Sequence, residues 1–144
     1  RKQAAWLERT LAAIPPSRPV IALSHAFAYA SGYIDAASRR PWYDEAEVIA
    51  KVVPILEKYK VELMVSGHNH YLELLERNGV TYALAGGMGG KPDPEPSYRS
   101  PASEWIAVAT FGWLDVDATA EGLALTFRDR QGRALREAFV PTRR

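Results

Sequence analysis

The sequence VELMVSGHNH, residues 61–70, decides the fold prediction. Its first six residues form a short, largely apolar run of the length typical of a buried strand, and Gly67 ends the run. His68, Asn69 and His70 follow directly. A second apolar run, residues 20–23, precedes His25 and fits a strand of a sheet covered on both faces. The three histidines of the chain therefore all follow predicted buried strands.

A predicted helix joins these two strands. It runs from Asp44, a residue type that caps helices, to about Tyr59, and Pro54 either kinks or restarts it. Strands joined in this way form a β-α-β unit, whose strands are parallel and whose carboxyl ends share one edge of the sheet. We therefore expect the three histidines at one edge, where open α/β sheets bind ligands.

The remaining elements complete an α/β fold in a single domain. Residues 3–13 have the period of an amphipathic helix, and Asn78-Gly79 is typical of a tight hairpin turn between residues 71–77 and 80–85. Residues 105–116, 123–128 and 134–140 are predicted strands of an antiparallel meander. Residues 26–43 and 91–101 are predicted irregular segments, the second rich in proline.

Composition excludes several classes of site. The chain has no cysteine, so any metal must use imidazole or oxygen ligands. A formal charge of +1 is too small for the electrostatic footprint of nucleic-acid binding. No apolar run approaches the roughly 20 residues of a membrane-spanning helix. We therefore expect neither a nucleic-acid partner nor a membrane span.

The histidine pattern favours metal binding. In an extended chain His68 and His70 would project to one side and Asn69 to the other, so the pair could hold two adjacent metals or chelate one. A Gly-His-x-His string arises by chance in about 1% of chains of this length. Imidazole suits Zn, Fe, Mn, Co and Ni alike.

The motifs resemble those of a known family. Residues 65–70 resemble the GHxH signature of calcineurin-like metallophosphoesterases, and residues 22–25 resemble the strand and histidine that precede it. The Q-x-x-W-L pattern of residues 3–7, the Ala85-Gly86-Gly87 string after the hairpin and residues 129–132 are similar to the C-terminal half of the purple-acid-phosphatase-like branch.

The resemblance implies half of a four-layer α/β/β/α sandwich that hydrolyses phosphate mono- or diesters with two divalent or trivalent metal ions, Fe, Zn or Mn. It implies that His25 and His68 ligate one metal and His70 the other. Asn69, Phe27 and Tyr29 are the candidate substrate-binding residues; Phe27 stands where many members have proline. No catalytic acid or base is assigned to this chain.

The family's Asp-x-His, Gly-Asp and Gly-Asn-His motifs, which come earlier in its members, are not in these 144 residues. We therefore expect residues 1–144 to be the C-terminal part of one metallophosphoesterase domain, inactive alone and dependent on an N-terminal half. Two alternatives remain open. One is a non-catalytic metal-binding fragment or interaction module that needs an N-terminal partner; the other is a mononuclear three-histidine hydrolase.

Other residues have two interpretations at this stage. Asp35, Asp44 and Glu45 are either extra ligands or acids, or part of a solvated loop face. The aromatic side chains of the long loop either clamp an organic group or form the loop's own core; they are Tyr29, Tyr33, Trp42 and Tyr43. The glycine-rich residues 86–90 favour a tight loop that packs backbone near the site over a phosphate-binding nest.

Overall fold

The computed structural model describes residues 2–142, which form three helices and two β-sheets. No helix within this range is long and apolar enough to cross a membrane. The elements in chain order are α1 (Lys2–Ala12), β1 (Ile21–Ser24), α2 (Ala46–Lys51), α3 (Val53–Lys58), β2 (Leu63–Ser66), β3 (Leu72–Arg77), β4 (Val80–Ala85), β5 (Ser103–Ala107), β6 (Gly112–Ala118), β7 (Gly122–Asp129) and β8 (Ala134–Pro141).

The predicted β-α-β unit is confirmed. Strands β1 and β2 are parallel neighbours, and Ser24 lies opposite Ser66. Strand β2 also pairs in parallel with β4, and the five-stranded sheet has the order β1-β2-β4-β3-β5. Residues 24 and 66 are the last of their strands, so the segments with His25 and His68 leave the sheet side by side.

The helix between these strands differs from the prediction. It is divided into α2 and α3, and Pro54 lies in the first turn of α3, where a missing N–H costs nothing. The cap of α2 is Glu45, whose carboxylate accepts from the Glu47 N–H. The prediction of Asp44 as the cap was wrong, because its carboxylate instead accepts hydrogen bonds from Ala30 N and from the hydroxyl group of Ser100.

The predicted hairpin is confirmed. Strands β3 and β4 are antiparallel, with Arg77 opposite Val80. Between them Asn78 and Gly79 have φ values of 51° and 80°. Two successive positive φ values are the signature of the type I′ turn that this dipeptide favours.

The prediction of one strand over residues 105–116 was wrong. Strand β5 pairs with β3 in the five-stranded sheet, whereas β6 begins a second, three-stranded antiparallel sheet of order β6-β7-β8. Ala109, between them, has a φ of 52°, a left-handed conformation that redirects the chain. The predicted meander is therefore formed by β6, β7 and β8.

The fold-class prediction is confirmed, since the described residues form helix, sheet and sheet layers consistent with half of the sandwich. One core lies between the helices and the five-stranded sheet; its buried residues include Leu11, Val53, Leu56, Met64, Leu75 and Tyr82. A second core lies between the two sheets and contains Leu63, Leu72, Leu74, Ala83, Leu123, Leu125, Phe127 and Val140.

Strand β1 is less buried than predicted. It is an edge strand of the described sheet, and the side chains of Ile21 and Leu23 are 37% and 78% exposed. The sequence pattern of a strand covered on both faces is present, but the face that carries these two residues lines an open groove that Leu114 and Val116 of the second sheet also line. This edge is the open side of the sandwich.

Two phenylalanines allow a matched test of the core between the sheets. Phe127 on β7 is fully buried, whereas Phe139 on β8 is 56% exposed. We expect Phe127→Ala to lower the free energy of unfolding by about 3–5 kcal/mol, because it leaves a cavity between the sheets. Phe139→Ala should cost well under half as much in the same urea titration. Equal losses would contradict the two-sheet packing.

Candidate metal centre

Two of the three histidines converge at the carboxyl ends of β1 and β2. Nε2 of His25 lies 3.2 Å from Nδ1 of His68, and the rings meet edge to face at a centroid distance of 5.2 Å. His25 is exposed and His68 half-buried. The parallel register explains the contact, because each histidine follows its strand by one or two residues on the same edge.

His68 has a strained backbone and a fixed ring. Its φ of 72° is uncommon for a residue with a side chain and turns the chain out of the direction of β2. The assumption of an extended chain through His68 and His70 was therefore wrong. Trp42 packs edge to face against the His68 ring at 5.1 Å, and Phe27 lies at 5.8 Å.

Burial and the neighbouring imidazoles of His25 and His70 lower the pKa of His68 below its usual value. Burial is the larger cause, and Asp93 and Glu45 oppose it. A lowered pKa keeps the ring neutral near pH 7, which is the state of an imidazole that coordinates a metal.

His70 lies against a different segment. Its Nδ1 is 3.0 Å from the carbonyl oxygen of Lys91, and its backbone N–H donates to Asp93 at 2.7 Å. Within residues 2–142 no group of three or more His, Asp or Glu side chains is arranged to hold a metal ion by itself. The described chain therefore brings together a pair of histidines and a third one nearby, and lacks a complete ligand set.

Asn69 is buried beneath the site rather than at its mouth. It is 1% exposed, and its amide nitrogen donates to the carbonyl oxygens of Ser31 and Trp42, at 3.2 and 3.0 Å. Its Oδ1 has no hydrogen-bond partner in the described part of the chain. This position favours a role in fixing residues 26–43 over the site, and a direct contact with substrate stays a prediction.

The other two candidate substrate-binding residues occupy different environments. Phe27 is 4% exposed, but it lines a cavity of about 230 Å³ beside His25 and His68 together with Trp42, Pro41 and Arg40. Tyr29 packs edge to face on Tyr82 in the core. Its position favours a core role over substrate contact.

A buried carboxylate that the sequence analysis did not single out anchors the loop. Glu73 on β3 is fully buried and accepts hydrogen bonds from both the N–H and the hydroxyl group of Ser31. The Ser31 hydroxyl also accepts from the N–H of Ser100. The signal was present in the sequence, because Glu73 interrupts the apolar run of residues 71–75.

The loop carboxylates and aromatics are mostly structural. Asp35 accepts from Ser38, within the loop itself. Tyr43 stacks on Tyr98 at 4.3 Å, and the Tyr33 hydroxyl donates to Asp93. The carboxylates and rings that line the cavity or contact a histidine are Glu45, Phe27 and Trp42.

The glycine-rich segment packs backbone near the site, as predicted. A methyl group at Gly86 would lie 1.9 Å from the carbonyl oxygen of Asn69, which follows His68 directly. Only a residue without a side chain fits this close approach.

Known proteins are similar to this chain in sequence or in fold. The tartrate-resistant acid phosphatase type 5 of Oryctolagus cuniculus is 27% identical over 159 residues, a match that covers 99% of this chain and 43% of that protein. The homologues of this chain are purple acid phosphatases. The resemblance to this branch is thereby confirmed, and the homologues are phosphatases. No protein-family model matches the chain.

Solved structures agree with the fold. Purple acid phosphatase PPD1 from seeds of Lupinus luteus superposes with a TM-score of 0.84 at 19% identity, covering 98% of this chain and 28% of that one. GAP50, the anchor in the inner membrane complex of Plasmodium, gives 0.80 at 18% identity, with 99% and 43% covered. The chain thus spans less than half the length of the proteins it resembles, consistent with the C-terminal half of the purple acid phosphatase fold.

Glu73 gives a pH-dependent prediction. Burial raises the pKa of its carboxyl, so the folded protein keeps this proton at a pH where the unfolded chain, with an ordinary pKa near ~4.3, has lost it. The unfolded state then binds fewer protons, and the contribution of Glu73 to stability falls as pH rises above that value, by at most about 1.4 kcal/mol per pH unit.

Glu73→Gln removes this titration. Urea titrations at pH values from 4 toward 7 measure the free energy of unfolding of both proteins. We expect the value for the variant to increase relative to the wild-type value as the pH rises, so that the variant becomes relatively more stable. The matched control is Glu104→Gln, an exposed glutamate, whose difference from wild type should show no such trend. A pH-independent difference for Glu73→Gln would contradict the assignment.

Proposed function

We propose that this chain supplies the histidine ligands of a dinuclear metal centre that hydrolyses phosphate mono- or diesters. The observation that carries the proposal is the approach of His25 Nε2 and His68 Nδ1 to 3.2 Å at the carboxyl edge of the sheet. The phosphatase homologues support the reaction class.

The geometry of the histidine pair fits one metal ion. Two nitrogens in a tetrahedral zinc site, each 2.0–2.1 Å from the metal, lie about 3.3 Å apart. The observed separation of 3.2 Å is close to this value. His25 and His68 would hold one ion and His70 the other, and Fe, Zn and Mn all suit imidazole ligands.

The charge of the site argues for further ligands. Neutral imidazoles contribute no negative charge, and two adjacent dications repel strongly without a carboxylate between them. The described residues do not supply such a group. We therefore assign the bridging carboxylate to an N-terminal half, with residues 1–144 as the C-terminal part of the same domain.

The open side of the sandwich is where this half would pack. An open groove of about 670 Å³ runs along β1 and reaches the second sheet. Its lining is mostly apolar and includes Ile21, Leu23, Val65, Leu114 and Val116, with His25 at one end. An exposed apolar strand edge beside the proposed metal site is better suited to packing against a strand of the N-terminal half than to contact with water.

When bound, the metal ions would activate a water molecule and neutralise charge on the phosphoryl oxygens. The residues of this chain would act as ligands, and the cavity beside His25 and His68 would take the organic group of the ester. Phe27 and Trp42 provide its apolar walls, and Arg40 provides a positive charge.

Substitution of the ligands tests the proposal. In the full-length protein, replacing His68 and His70 by alanine should lower metal-dependent phosphatase activity by more than about 100-fold, because transition-state stabilisation by the metals is worth several kcal/mol. Bound metal measured by elemental analysis should fall in parallel. Ser38→Ala, in the exposed part of the loop, is the control. Retained activity in the histidine variant would refute the proposal.

A second candidate function is a non-catalytic metal-binding or interaction module. The fold is shared with a Plasmodium protein described as an anchor, so the fold alone does not distinguish the two functions. The absence of a complete ligand set in the described residues also fits this alternative.

Assays of the separate parts discriminate between the candidates. We expect residues 1–144 alone to bind a single zinc ion weakly and to show no turnover of a generic aryl phosphate, because the carboxylate ligand is missing. Addition of the N-terminal half should restore turnover. Inactivity of the combined halves would favour the module, and strong activity of the chain alone would favour a mononuclear hydrolase.

A further inference from the structure

His70 is held by a short segment at the start of the proline-rich connection. Asp93 pairs with the backbone of His70 in both directions: its carboxylate accepts from His70 N at 2.7 Å, and its own N–H donates to His70 O at 3.1 Å. Asp93 is itself fixed, since it accepts from the Tyr33 hydroxyl at 3.2 Å and its carbonyl oxygen accepts from Ala109 N at 2.9 Å.

The ring of His70 is fixed by a backbone carbonyl. Its Nδ1 lies 3.0 Å from the carbonyl oxygen of Lys91. A carbonyl oxygen can only accept, so Nδ1 must carry the hydrogen in this contact. In the neutral ring Nε2 then keeps the lone pair.

Gly90 allows this contact by having no side chain. A methyl group at residue 90 would lie 2.3 Å from Cε1 of His70, 2.5 Å from Nδ1 and 2.6 Å from Nε2. Real carbon atoms do not approach so closely, so any side chain here would displace the ring. Gly89, its neighbour, has nothing within 4 Å of the same position.

We infer that residues 90–93, the His70 clamp, form a positioning segment that holds His70 with its Nε2 lone pair free for a metal ion. The inference rests on the proposed function. Metal-binding histidines typically donate their second ring N–H to a carbonyl or carboxylate, which fixes the tautomer and orients the ring.

The two histidines of the motif therefore present different atoms. His68 turns Nδ1 toward His25, whereas the clamp leaves Nε2 of His70 free. The ring nitrogen offered to a metal ion therefore differs between the two histidines, Nδ1 in His68 and Nε2 in His70.

The two neighbouring glycines provide a matched test. Neither Gly89 nor Gly90 has a positive φ, so alanine introduces no left-handed strain at either position. In the metal-free full-length protein labelled with nitrogen-15 histidine, NMR should show the Nδ1–H tautomer at His70 in wild type and in Gly89→Ala. Gly90→Ala should lose this single tautomer, because the ring leaves the carbonyl of Lys91.

Zinc affinity is the second measurement. Calorimetric titration with zinc alone should give binding 10–100-fold weaker in Gly90→Ala, the usual effect of losing an outer partner of a ligand, and unchanged affinity in Gly89→Ala. Equal tautomer and equal affinity in both variants would overturn the clamp. An Nε2–H tautomer in the wild type would overturn it without any variant, even if Gly90→Ala failed to fold.

The result separates the clamp from the proposed function. The tautomer is measured without metal, so it does not depend on catalysis. A wild-type protein with the Nδ1–H tautomer that binds no zinc would support the clamp and contradict the metal centre. Full zinc affinity with loss of the tautomer only in Gly90→Ala would contradict the positioning role.

Discussion

The parallel register of β1 with β2 is the constraint on which the rest of the site depends. It places Ser24 beside Ser66 at the ends of both strands, so two histidines separated by more than 40 residues meet at 3.2 Å. A shift of one residue would move one of the two histidines along the edge and turn its strand's apolar side chains to the other face. The register that buries Leu63 and Met64 thus also brings the two histidines together.

The loop over the site is held by buried polar groups rather than by apolar packing alone. Residues 27–31 lie in the interior, where unpaired backbone groups would be costly. Glu73, Asn69 and Asp44 satisfy many of these groups from three different parts of the chain. Glu73 lies in β3, Asn69 in the segment between β2 and β3, and Asp44 just before the cap of α2. The loop therefore has one well-defined position, and Trp42 is held against His68.

Local pattern was enough to predict much of this fold. Apolar runs, the Asn78-Gly79 turn and the β-α-β rule gave the hairpin, the parallel pair and the shared edge of the histidines. The errors occurred where tertiary contacts override local preference. Asp44 accepts hydrogen bonds from the loop and from Ser100 instead of capping the helix. The left-handed conformation of Ala109 divides residues 105–116 into two strands. The left-handed conformation of His68 ends the extended chain that the sequence analysis assumed.

The exposure of β1 could not be predicted for a related reason. Its apolar pattern is that of a strand covered on both faces. The pattern alone does not say whether the covering element lies within the described residues. The partners of Glu73 and His70 were also out of reach, because Ser31 is 42 residues from Glu73 and Lys91 is 21 residues from His70. Contacts at such separations depend on how the whole chain closes.

The exposed edge of β1 has a consequence for the life of the protein in a cell. A flat apolar strand with backbone groups available on one side is a template for pairing with other chains, including copies of itself. Leu23 of β1 is 78% exposed and would contribute to such self-association. Molecules in which this edge stays uncovered would be lost to aggregation or to proteolysis. The abundance of the protein would then depend on how quickly the edge is covered after synthesis.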